Sequence, residues 1–131
     1  EHCFWWGLFD RQPLKTWING RVTLLGDAAH PMLPHLGQGV NQGVEDAVAL
    51  SIFLEGRSSA DVPAVLKAYE ALRHPRASMV QTEARQNGRR YDSLYENIEQ
   101  RDAEIRNAAA LRKRLYDYDI EAEAKAVRLA A

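Results

Sequence analysis

The stretch that decides the fold is Gly26-Asp27-Ala28-Ala29-His30-Pro31-Met32-Leu33-Pro34-His35-Leu36-Gly37-Gln38-Gly39-Val40-Asn41. It follows a short β-prone run, Arg21 to Leu25, and precedes a segment with helical periodicity. A buried strand ending in Gly-Asp presents a carboxylate at its C-terminal edge, and in α/β sheets ligands bind outside that edge. Gly26 removes a side chain, so a ligand can approach the backbone. Asp27 is an acceptor for ligand hydroxyls, and charged acceptors bond more strongly than neutral ones. Ala28 and Ala29 are small, as a loop pressed against a ligand requires. Gly37-Gln38-Gly39 then opens a helix, where free N–H groups and the positive end of the helix dipole gather. Such an end favours negative charge by ~0.3–1 kcal/mol on an exposed surface. One loop therefore offers a hydroxyl acceptor at its start and an anion site at its end, which suits a polyol joined to a group that becomes anionic. Taken singly, Gly-Asp reads as an ordinary turn and Gly37-x-Gly39 as flexible capping. The ordered combination after a strand is much more specific.

Upstream, Cys3 to Phe9 is aromatic and apolar and is expected to form a buried strand. Cys3 then belongs to the core, and Trp5 and Trp6 point to opposite faces, with core favoured over substrate contact. Gln12-Pro13 breaks the run, and Asn19-Gly20 marks a chain reversal. Downstream, Val40, Val44, Ala47, Val48 and Leu54 fall near one face of a helix starting at about Val40. Gly56 to Ser59 ends it. Asp61 and Pro63 open a second helix with Val65, Leu66, Tyr69 and Leu72 as its apolar stripe. Pro75 disfavours helical geometry at His74, so a kink or break is expected there, with the helix resuming to Asn87-Gly88. Ser93 to Arg114 is helix-prone, with Leu94, Ile98, Ile105, Ala109 and Leu111 available for one face. The alanine- and charge-rich tail, Glu121 to Ala131, is expected to fray.

The chain has 131 residues, 46% hydrophobic and 27% charged, with a net charge of −1 from 17 basic and 18 acidic side chains. That balance gives no electrostatic reason for a nucleic-acid or anionic-membrane partner. The longest apolar run, Ala47 to Leu54, falls far short of a membrane span. A single cysteine fits a reducing compartment, hence a cytoplasmic location. The chain opens at Glu1 in what reads as the middle of a sheet, so a piece of a longer protein is expected; a processed mature chain is the alternative. His30 reads as a structural histidine that holds the loop. His35 adjoins Pro34 and is a weaker candidate for the substrate side. The spacing of His30, His35 and Asp27 matches no ligand template, so no metal site is assigned. Glu45-Asp46 is most simply a charged first turn that favours the helix dipole. Arg85, Arg89 and Arg90 read as a solvated face or as packing against a sheet outside this chain.

Gly26-Asp27-Ala28-Ala29-His30, followed by Pro34, Gly37-Gln38-Gly39, Asn41 and Glu45-Asp46-Ala47, resembles the second flavin-binding motif of the group A FAD-dependent aromatic monooxygenases. Asp10-Arg11-x-Pro13, Trp17 and Gly20-Arg21-Val22 are similar to the flank of that motif in the salicylate-hydroxylase-like branch. Tyr69-Glu70, Arg73-x-Pro75-Arg76, Val80-Gln81, Arg85 and Asn87-Gly88 resemble its helical tail, and Leu115 to Asp119 its closing segment. The resemblance covers nearly the whole chain.

It implies an α/β parent fold of the hydroxybenzoate-hydroxylase type. This chain would be its C-terminal part, one or two strands followed by mostly α-helix. Residues 1–56 would close the FAD-binding domain and residues 57–131 form a C-terminal helical region. The implied cofactor is FAD, with NADH or NADPH as co-substrate and a small aromatic acid and O2 as reactants. No nucleic-acid or membrane partner is implied, and a homodimer is left open. Gly26, Asp27 and Ala28 would meet the ribityl chain. Gly37, Gly39, Val40 and Asn41 would face the N1–C2=O edge of the flavin. Pro34 and His35 would lie near the ring, where oxygen and substrate meet. The family's ADP-binding Gly-x-Gly-x-x-Gly and its Asp-Gly motif are absent from this sequence, so the chain by itself is expected to bind FAD weakly and not to turn over. Alternatives are a ubiquinone-type ring hydroxylase, an epoxidase or a reductase of the same fold, or a non-enzymatic helical interaction module whose glycine loop is only a turn.

Overall fold

The Asn19-Gly20 signal produces a hairpin. In the computed structural model, which describes residues 2–130 with the side chains of 107, 108 and 130 left aside, β1 (Ile18–Asn19) pairs antiparallel with β2 (Val22–Thr23). Gly20 has φ of 63° and, among the described residues, no non-glycine residue has positive φ. That is the pattern of a II′ turn, with glycine at the first loop position. Four helices follow: α1 (Gly39–Leu54), α2 (Val62–Tyr91), α3 (Ile98–Tyr116) and α4 (Ile120–Ala130). Short 3-10 turns occupy Gly26–Ala28, Pro34–Leu36 and Ser59–Asp61. The expected outline, a little strand and then mostly helix, is what the chain forms.

The main core gathers Trp17, Ala29, Ala49, Phe53, Val65, Tyr69, Ala77 and Ala124. It joins the hairpin, the Gly26 turn, α1, α2 and α4. A second cluster, Val80, Leu111 and Leu115 with Met32, Leu36 and Met79, lies between α2, α3 and the glycine loop. The loop is thus underpinned by apolar packing.

Several expectations are corrected. Residues 2–9 form no strand and are exposed; Trp5 and Trp6 both face solvent, and so does Cys3. A strand needs a partner for its backbone groups, and no described strand lies beside this segment. Pro75 does not break α2, which runs unbroken for 30 residues. The proline forfeits the bond to the carbonyl of residue 71, and Ala71 is on the exposed side. The flanking turn is also anchored, with the Nε2 of His74 2.6 Å from the Leu14 carbonyl. Nor does α2 stop at Gly88. That glycine is buried under the His35 ring, and an added Cβ would lie 2.5 Å from its Cδ2. The tail docks instead of fraying: Ile120, Ala124 and Val127 recur on one face and pack into the main core. Asp119 caps this helix through the Ala122 N–H at 3.0 Å. Of the face expected over Ser93 to Arg114, Leu94 lies ahead of α3, which starts only at Ile98, and is exposed, as are Ile98 and Ile105; only Leu111 is buried.

The largest correction concerns α1. Its buried face is Gln42, Asp46, Ala49 and Phe53, while Val40 and Val44 are exposed. Glu45 and Asp46 are not first-turn charges for the dipole. They are held by arginines of α2. Arg73 is fully buried and donates from Nε to Asp46 Oδ1 at 2.9 Å, from Nη1 to Glu45, and from Nη2 to the Gln42 side-chain oxygen at 2.9 Å. Arg76 clasps Glu45 at 2.6 and 2.8 Å, donates to the Arg114 and Leu115 carbonyls at the end of α3, and lies 3.6 Å over the Tyr118 ring. Polar groups take this face because each finds a charged partner there. Burial pushes the Asp46 carboxyl up, but hydrogen bonds from His30, the Gly26 N–H and Arg73 outweigh it and hold the group below its ordinary 3.8. Arg85 and Arg90 are likewise paired, with Asp10 and Glu104, both at 2.8 Å.

Removing one partner of a buried ion pair typically costs about 3–5 kcal/mol, so Arg73→Met is expected to lose that much stability in urea unfolding. The Asp46 contribution is fully present above pH 3.8 and is lost as pH falls through the lower value it has in the fold; an acid titration of unfolding free energy checks this, and Asp46→Asn flattens it. Gly88→Ala should lower the melting temperature, although glycine-to-alanine in a helix interior ordinarily stabilises by roughly 1 kcal/mol. The double variant His35→Ala/Gly88→Ala should recover most of the loss.

Candidate functional site

The loop from Gly26 to Gly39 folds back so that its two ends meet. Gly26, Asp27, Gly37, Gly39 and Val40 line one open cleft of about 450 Å³, together with Met32 and Gly43. Five of the residues singled out in the sequence therefore share a wall. Ala28 is exposed in the same turn as Asp27, and Asn41 is exposed in the first turn of α1. Pro34 is exposed in its own 3-10 turn. His35 turns its ring onto α2, against Gly88 and 5.9 Å from the Tyr91 ring, while Asn87 donates to its carbonyl at 2.9 Å.

The start of the loop is a tight turn. Gly26 takes φ of 56°, a left-handed value that glycine alone adopts freely. Its carbonyl accepts from the Ala29 and His30 N–H groups at 2.9 and 2.8 Å. Its N–H donates to Asp46 Oδ2 at 2.9 Å, and the same oxygen lies 2.7 Å from His30 Nε2. Because an ionised carboxylate only accepts, the imidazole proton sits on Nε2. His30 is 1% exposed, in keeping with the structural role expected for it. From the other side the Arg11 guanidinium donates to the Ala28 and Ala29 carbonyls. The Asp27 side chain, by contrast, is exposed and has no hydrogen-bond partner among the described residues.

At the other end, Gly37 closes its turn with φ of 63°, and α1 begins at Gly39 without a side-chain cap. The N–H groups of its first turn have no intrahelical acceptor. Gly39 and Gly43, one turn apart on one helical face, leave backbone where side chains would stand. These residues fit a bound flavin: a free carboxylate for hydroxyls, uncapped amides for a polar ring edge, and a wall of glycine between them. No group of His, Cys, Asp and Glu suited to a metal occurs among the described residues, and no described helix is long and apolar enough to cross a membrane.

Sequence reasoning overlooked Met32 and Gly43 on the wall, and Arg11 and Asp46 behind it. The spacing Gly39-x-x-x-Gly43 was the available signal, since residues four apart share a face. For Arg11 and Asp46 the only signal was their place in Asp10-Arg11-x-Pro13 and Glu45-Asp46-Ala47.

Comparison with known proteins agrees with this geometry. Residues 6–84, more than half of the chain, match the profile of the FAD binding domain family. The chain is 49% identical over 83 residues to the FAD-dependent monooxygenase notI of Aspergillus sp. (strain MF297-2), covering 62% of this chain and 19% of that protein. It is 51% identical over 80 residues to 3-hydroxybenzoate 6-hydroxylase 1 of Aquipseudomonas alcaligenes, covering 61% of this chain and 20% of that protein. Its fold superposes on a salicylate hydroxylase substrate complex with a TM-score of 0.81 and 39% identity, over 93% of this chain and 30% of that one. The chain spans about a fifth of the length of these curated relatives. On the strength of that match, and of a cleft whose walls suit a flavin, the chain belongs to the FAD binding domain family.

Proposed function

We propose that this chain is the C-terminal part of an FAD-dependent monooxygenase that hydroxylates a small aromatic acid at the expense of NADH or NADPH and O2. The observation that carries the reading is the meeting of the Asp27 carboxylate and the uncapped start of α1 on one glycine-lined cleft. Bound FAD supplies oxygen activation once reduced. The residues present do the holding. Asp27 would accept from a ribityl hydroxyl, and Gly26 and Ala28 would lie against that contact. The N–H groups around Gly39, Val40 and Asn41, with Gly37 leaving room beside them, would donate to the N1–C2=O edge of the ring. A helix start at that edge favours the negative charge of the reduced flavin, a preorganised donor array where charge develops. Pro34 and His35 would border the ring on the substrate side, with His35 kept in place by Gly88 and Asn87. We assign residues 1–56 to the end of the FAD-binding domain and residues 57–131 to a helical region that braces it.

Likeness to 3-hydroxybenzoate 6-hydroxylase 1 and to a salicylate hydroxylase favours a hydroxylated benzoate as the substrate class. The balanced charge favours a small-molecule substrate over a nucleic-acid or membrane partner, and the single cysteine suits a reducing, cytoplasmic compartment.

The test is to express the chain with the coding sequence that precedes it and to follow NADH and NADPH oxidation across a panel of hydroxybenzoates. Substrate-stimulated oxidation with hydroxylated product supports the reading; a folded protein that binds no flavin overturns it. In that protein Asp27→Ala should weaken FAD retention about tenfold or more, the weight of one hydrogen bond to a charged acceptor, ~1.5–3 kcal/mol. Dialysis against FAD-free buffer with absorbance readout measures it.

A further inference from the structure

We propose that Asp46 is a positioning residue for the cofactor: it sets the direction of Asp27 by tying together both ends of the turn that carries it. The inference rests on the flavin reading of the cleft and assigns a role to a residue behind it. Asp27 has no side-chain partner of its own among the described residues, so the backbone from Gly26 to His30 alone aims its carboxylate. That backbone is fixed at its first residue by the Gly26 N–H and at its last by His30 Nε2, at 2.9 and 2.7 Å, and both bonds end on one oxygen, Asp46 Oδ2. The turn is thereby closed into a ring through a side chain of α1.

The oxygen itself cannot wander. Asp46 is fully buried, and Arg73 holds its other oxygen at 2.9 Å. Arg73 is in turn gripped by Glu45 and Gln42. Three donors converge on Asp46, so the position demands an acceptor at both oxygens. Asparagine supplies one acceptor and turns an N–H₂ toward a donor. A ligand hydrogen bond depends on placement to within about 0.5 Å. A turn freed at one end therefore loses affinity at Asp27 while Asp27 itself remains.

The test uses the protein expressed with its preceding coding sequence. It compares Asp46→Asn and His30→Phe with Arg76→Leu. The His30 ring lies 5.3 Å from that of Trp17; His30→Phe keeps a ring there and leaves the Arg73–Asp46 pair intact, so it stays informative where Asp46→Asn does not fold. Arg76→Leu breaks the Glu45 clasp without touching the turn, and so reports what stability loss alone does. The readouts are the dissociation constant of FAD, the melting temperature without FAD, and amide hydrogen exchange across residues 26–30 in the FAD-free protein.

His30→Phe, and Asp46→Asn where it folds, should raise the FAD dissociation constant about tenfold or more and speed exchange across the turn. Arg76→Leu should lower the melting temperature comparably while holding the constant within roughly twofold and leaving the turn protected. Affinity that follows melting temperature along one line for all variants overturns the positioning role. So does His30→Phe with unchanged affinity and exchange; if Asp27→Ala still weakens FAD, the flavin reading then stands without it. A folded wild type that takes up no FAD removes both.

Discussion

A charged carboxylate without exposure to water survives only where donors surround it, and Asp46 is such a group. Its three donors come from the glycine turn, from the histidine that ends that turn, and from Arg73 on α2. Because none can be spared at low cost, their geometry fixes three pieces of chain against one another. Arg73 and Arg76 extend the constraint through Glu45 to the carbonyls that finish α3. The helical half of the molecule is thus mechanically continuous with the loop that forms the cleft. Apolar packing fills in around this frame, with Trp17, Phe53 and Tyr69 on one side and Leu111 and Leu115 on the other.

The frame also explains the unusual orientation of α1. With Gln42 and Asp46 turned inward, Val40 is left facing outward at the cleft and Val44 at the surface. A helix arranged by its apolar residues alone would rotate, carry Gly39 and Gly43 off the cleft wall, and bring valine side chains into the core. The polar interior therefore places glycine where a ligand needs room. Tyr69 shares this interior; burial and the nearby Asp46 charge raise its hydroxyl well above the ordinary tyrosine range, so it stays a neutral donor toward the Leu24 carbonyl.

What was legible in the sequence was local chemistry. The reversal at Gly20, the helix starts near Val40 and Asp61, the stripe of Val65, Leu66 and Tyr69, and the place of Gly26, Asp27, Gly37 and Gly39 in one loop follow from short-range rules about φ, turn residues and spacing, whereas Val40 enters the site through the family resemblance. What was not legible depended on partners far along the chain. Asp46 and Arg73 are 27 residues apart, and nothing near either announces the other. Periodicity put valines in the core because it cannot know that an arginine waits to meet an aspartate. Local rules make Pro75 a helix breaker because the anchors of its neighbours Arg73, His74 and Arg76 lie far along the chain. Gly88 reads as an end signal by local rules, whereas its missing side chain is a seat for His35. Residues 2–9 showed the opposite failure: a good strand pattern has no effect without a neighbouring strand.

The span of the Asp46 network has a bearing on how the protein is made. A ribosome releases the chain from its N-terminus, and segments consolidate in that order. Within this chain the glycine turn emerges ahead of its supports: the arginine that secures its anchor follows 27 residues after Asp46, and the carbonyls that secure Arg76 another 38 and 39 residues beyond it. The nascent cleft therefore stays unset until α2 and α3 have both left the exit tunnel, and its walls take their final shape only after every residue that lines it has been made.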